Sequence, residues 1–110
     1  MRQEHNKLVR DSIPEIIRQA GKQCEVALMS EAEFTQALRE KLLEEAQEAV
    51  VATPENLVSE LADLQEVIDA ILKVYGIERE ALVKEQRHKR TERGGFDQRL
   101  RLLWTESSSS

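Results

Sequence analysis

Apolar residues return along this chain at the three- and four-residue spacing of helices, and capping signals divide it into four helical segments. Ser12 and Glu15 have the spacing of a capping box, with Pro14 in the first turn and Gly21 as a stop, which predicts a short helix over residues 13–20. Ser30 and Glu33 repeat the box and open a long helix to about residue 52. Thr53 as a cap and Pro54 at the first helical position predict a third helix to residue 75, closed by Gly76. A fourth covers residues 79–92, stopped by Gly94 and Gly95, with basic residues at the negative end of its dipole. The second and third helices are joined so tightly that an antiparallel pair is expected. Residues 24–29 read as extended, and residues 96–104 alternate imperfectly, with Leu100, Leu102 and Trp104 set against Arg99, Arg101 and Leu103. A small two-stranded β ribbon between these segments is therefore expected. The fold class is mainly all-α, resembling a four-helix bundle around a central helix pair. Residues 1–106 form one domain, and the serine run over 107–110 is expected to be a flexible tail.

Advancing about 100° per residue locates the buried faces. In the second helix Phe34, Leu38, Leu42 and Ala49 define an apolar stripe; Glu45 falls near its centre and Glu48 at its edge, while Glu44 points elsewhere. In the third, Leu57, Leu61, Leu64, Ile68, Ile71, Leu72 and Tyr75 set the apolar arc. Glu60 falls inside that arc and Asp63 at its margin, whereas Glu66 and Asp69 project away. Within each acidic pair the spacing is three residues, so both carboxylates rise from one face. Two helices packed on these stripes gather Glu45, Glu48, Glu60 and Asp63.

Buried carboxylates are costly unless paired or bound to a metal, and four together raise one another's pKa. A divalent cation removes the conflict. All-oxygen ligation without a nearby His or Cys selects hard Mg²⁺, with Mn²⁺ also suited, and Mg²⁺ leaves positions for water and substrate phosphate. The plain alternative is a solvated or ion-paired face, which suits any single Glu in a chain that is 34% charged.

Composition narrows the class further. The chain has 110 residues, 40% of them hydrophobic but only 4% aromatic, so its core must rest on aliphatic side chains, as in packed helices. No apolar run is long enough for a membrane span and no secretory pattern follows Met1, so the cytoplasm is the expected compartment. The single Cys24 excludes an internal disulfide and reads as a small buried side chain. A net charge of −5 argues against stable nucleic-acid binding. The charges are nevertheless segregated: acids crowd residues 40–69, and Lys84, Arg87, Lys89, Arg90 and Arg93 crowd one short segment. A metal-bound polyphosphate suits both. Guanidinium and ammonium groups at Lys7, Arg10, Lys89, Arg90 and Arg93 are candidates for phosphate contact; the alternative for the last three is a solvated helix end, and for Lys7 and Arg10 an N-terminal segment packed beside the helix starting at Ser12. His5 and His88 lack partners at metal spacing and read as surface residues, and Trp104 reads as a core or interface anchor.

The ordered motifs, EExxE at Glu44, Glu45 and Glu48 followed by ExxD at Glu60 and Asp63, resemble those of the MazG-like all-α nucleoside triphosphate pyrophosphohydrolases. The opening NKLVRDSIPEII (residues 6–17) and the closing KRTERGGF (residues 89–96) are similar to the flanks of a small house-cleaning, phosphoribosyl-ATP pyrophosphohydrolase-like branch. The resemblance implies a MazG-type fold and Mg²⁺-dependent cleavage between the α and β phosphates, giving a nucleoside monophosphate and pyrophosphate. It implies a general base at Glu48 or Glu45, removal of modified or surplus nucleotides, and helices paired between subunits in a homodimer or higher oligomer. Glu44 matches the motif, but its angle suggests a supporting role or none. Two other readings stay open: a phosphoribosyl-ATP pyrophosphohydrolase, and a non-enzymatic helical dimer whose acidic stripe docks a basic partner.

Overall fold

The computed structural model describes residues 1–107 and is all-α, with four helices and no β-strand among those residues. The expected serine tail lies almost wholly outside the described residues. Helices α1 (Ile13–Gln19), α2 (Glu31–Val51) and α3 (Leu57–Val74) belong to one compact unit, Met1–Ile77. Helix α4 (Arg79–Arg93) belongs to a second, Glu78–Ser110.

Local chemistry accounts for most boundaries. The capping box of α2 is complete: Glu33 N–H donates to Ser30 Oγ at 3.2 Å and Ser30 N–H donates to Glu33 Oε1 at 3.0 Å. That hydrogen bond holds the Glu33 carboxyl below the usual glutamate range. The box expected at Ser12 and Glu15 does not form, because Ser12 has helical backbone angles and no side-chain cap bond. Helix α1 ends in a Schellman motif, with Gly21 N–H donating to Arg18 C=O at 3.0 Å and Lys22 N–H to Ile17 C=O at 3.2 Å. Helix α3 ends the same way: Gly76 donates to Lys73 at 3.2 Å and Ile77 to Leu72 at 2.8 Å. Both glycines have positive φ, 82° and 65°, a conformation that a Cβ disfavours.

The start of α3 corrects the expected boundary. Thr53 and Pro54 do not cap the helix; Asn56 N–H donates to Thr53 C=O at 3.0 Å, closing a separate turn before Leu57. Proline presets the backbone for the second position of such a turn, and that use wins here. The expected ribbon is also absent. Residues 24–29 and 96–104 are irregular, and alternation alone supplies no ladder partner. Arg99 N–H instead closes a turn onto Phe96 C=O at 3.1 Å.

Helices α2 and α3 pack as the expected antiparallel pair. Arg39, early in α2, reaches the end of α3, where its Nε and Nη2 both donate to Tyr75 Oη at 3.3 Å and its guanidinium lies 5.6 Å from the ring centroid. The α2 stripe is buried or half-buried as expected, with Leu38 only 3% exposed. On α3 the face toward α2 is rotated from the expected arc. Val67 is the buried residue at 8% exposure, in line with Glu60 and Asp63; of the expected arc Leu64, Ile68, Ile71 and Leu72 are half-buried, whereas Leu57, Leu61 and Tyr75 stay exposed. Trp104 is 74% exposed, so it anchors no core within this chain.

The apolar surface left open is large. Of the described hydrophobic residues only Leu38 and Val67 are buried, while Leu57, Leu61 and Tyr75 on α3 are 38%, 47% and 46% exposed.

Candidate metal centre

Glu45 enters the site because it occupies the buried stripe of α2 one turn after Lys41 and two turns after Leu38. Glu60 and Asp63 lie one turn apart near the start of α3, on the line that continues to Val67. The hairpin brings one carboxylate oxygen from each of Glu45, Glu60 and Asp63 within 4.8 Å of the others. Glu45 is 8% exposed; Glu60 and Asp63 are half-buried. Glu48 stands beside this triad with an exposed side chain, and its charge acts on both Glu45 and Glu60.

Electrostatics mark the cluster as unsatisfied. Burial pushes the Glu45 carboxyl above the ordinary range, the neighbouring Glu48 adds to the rise, Lys41 opposes it, and Asp63 adds a little more. Burial also raises Glu60, with Glu48 and the Asp63 charge adding to it. Glu45 Oε2 and Glu60 Oε2 are both buried without a hydrogen-bond partner. Such oxygens are rare in folded proteins and call for a ligand. Three carboxylates with no His or Cys among them fit a hard divalent cation.

Cations surround the acids on the outer side. Arg10 Nη2 donates to Asp63 Oδ1 at 2.6 Å. Lys7 Nζ lies 3.7 Å from Glu44 Oε1, and Lys41 Nζ lies 3.6 Å from Glu44 Oε1 and 3.7 Å from Glu45 Oε1. Glu44 thus anchors lysines outside the triad. The sequence reading overlooked Lys41, although its position three and four residues before two acids is a visible helical pairing signal. Lys7, Lys41 and Glu44 also line a cleft of about 300 Å³ with Asn6, Gln36 and Ala37.

The other expected residues are placed differently. Lys89, Arg90 and Arg93 are exposed on the last turns of α4, in the second unit. A wider hollow on α4 is lined by Arg79, Glu80, Val83, Lys84 and Arg87, all from one helix, and is an open groove. Glu66 is exposed and Asp69 accepts from Gln65 Nε2 at 3.0 Å, so both stand apart from the triad. His88 is exposed and lies 3.4 Å from Glu92. Cys24 is half-buried, its Sγ 3.7 Å from Pro14 C=O. Among the described residues, no helix is long and apolar enough to cross a membrane.

Comparison of the chain with protein-family models, curated proteins and solved structures returns no match. The site's own geometry therefore has to support any functional reading.

Proposed function

We propose that the chain is a Mg²⁺-dependent hydrolase that cleaves nucleoside triphosphates between the α and β phosphates, acting on modified or surplus nucleotides. One observation carries the reading: the buried, unpartnered oxygens of Glu45 and Glu60, in a triad completed by Asp63. The EExxE and ExxD order, which resembles that of MazG-like pyrophosphohydrolases, supports the choice of reaction.

Glu45, Glu60 and Asp63 are the residues that would hold the ion. When bound, Mg²⁺ or Mn²⁺ would neutralise charge on the phosphate oxygens and lower the pKa of a water. Glu48 is exposed beside the triad and takes the proton as water adds to the α phosphorus and pyrophosphate leaves. Lys7 and Arg10 present donors on the same side, suited to charge-assisted contact with phosphate. A panel of standard and non-standard triphosphates plus phosphoribosyl-ATP, each incubated with Mg²⁺, tests the reaction. Pyrophosphate release is expected from at least one, stopped by EDTA; release from none contradicts the reading.

The uncovered apolar surface supports a homodimer as the working form. Leu57, Leu61 and Tyr75, along the open face of α3, are the residues a second copy would cover.

A further inference from the structure

Asp63 differs from its two companions in how it is held. Glu45 is fixed by burial in the α2 stripe, and Glu60 buries one oxygen. The Asp63 side chain is 40% exposed, so packing alone does not select its rotamer. One contact does: Arg10 Nη2, on the segment preceding α1, donates to Oδ1 at 2.6 Å.

We propose that Arg10 is the positioning residue of the metal centre, holding the Asp63 carboxylate turned toward Glu45 and Glu60 and remaining in place when the ion binds. The inference rests on the metal reading above and adds a residue to it. A carboxylate has two oxygens and about four acceptor positions, so one N–H bond to Oδ1 leaves room for a cation. Carboxylate ligands are commonly oriented by such outer partners. The unpartnered oxygens lie on Glu45 and Glu60, which Arg10 does not contact, so the ion and the guanidinium answer different needs. Four of the five N–H donors of Arg10 remain for water or phosphate.

Calorimetric titration of MnCl₂ into the full chain, without nucleotide, tests this in the wild type, Arg10→Lys and Arg10→Ala, with circular-dichroism melts to show that each variant is folded. The wild type is expected to bind one ion. Arg10→Ala should bind about tenfold or more weakly, the usual cost of removing an outer partner of a ligand, and Arg10→Lys should fall between. Equal or tighter binding by Arg10→Ala overturns the proposal and makes the ion pair a bystander or a competitor of the metal. No binding by the wild type overturns the metal reading itself, and this inference with it.

Discussion

Glu45 on α2 and Glu60 on α3 each present a buried Oε2 with no hydrogen-bond partner, and both side chains lie in the same 4.8 Å cluster with Asp63. Leaving two acceptors unpaired between packed helices costs stability in the metal-free chain. Removing one charge should recover some of it. Glu45→Gln is expected to keep the helical circular-dichroism spectrum and to gain a few tenths of a kcal/mol (~0.2–0.5) without metal, the size of a relieved like-charge helical pair, while losing hydrolysis. Chemical denaturation with and without MgCl₂ measures this. Parallel loss of helicity and activity would instead make Glu45 structural.

The raised carboxyls set the sign of a pH dependence. The folded state holds protons on Glu45 and Glu60 more tightly than the unfolded chain does, so their contribution is fully present below the ordinary glutamate value of 4.5. It is lost as pH rises through their folded values. The metal-free wild type should therefore lose Tm relative to Glu45→Gln as pH rises from that value toward neutrality. Saturating Mg²⁺ should shrink the difference by competing with the protons. Melting both proteins across this range, with and without the ion, checks it.

Leu38 and Val67 are the only buried hydrophobic residues among those described, one on each helix of the hairpin. Leu38→Ala should cost about 2–5 kcal/mol and lower the metal affinity as the hairpin loosens. Chemical denaturation measures the first effect and metal titration the second.

The capping box at Ser30 gives a contrast within one molecule. Ser30→Ala should cost about 1 kcal/mol, because Glu33 N–H loses its acceptor. Ser12→Ala should be close to neutral, because Ser12 makes no side-chain cap bond. Paired denaturation curves read both.

The α2 face was legible in the sequence because that helix has one buried stripe, and a Glu at its centre stands out against Phe34, Leu38 and Leu42. Helix α3 was legible in part. Its apolar residues span more than one face: Leu64, Ile68, Ile71 and Leu72 of the expected arc are half-buried, while its edge at Leu57 and Leu61 stays open. The α2-facing line holds two acids before Val67, which hides its buried character. No ribbon forms at residues 100–104 because alternation supplies apolar content without supplying a partner strand. The Arg10 contact with Asp63 spans 53 residues, and no local spacing rule reaches that far.

The open face of α3 also predicts an assembly. Leu61 is 47% exposed, and Leu61→Glu should convert a dimer to monomers while leaving helicity unchanged. Sedimentation velocity of both proteins checks it, and a wild type that sediments as a monomer at every concentration would refute the assembly.

The proposed role of the Glu45, Glu60 and Asp63 triad is hydrolysis of a nucleoside triphosphate between its α and β phosphates. Phosphorus NMR of the reaction with Mg²⁺, comparing wild type with Glu45→Gln, reads the products. A nucleoside monophosphate and pyrophosphate are expected from the wild type and unchanged triphosphate from the variant. A diphosphate with inorganic phosphate, or equal turnover by both proteins, would contradict it.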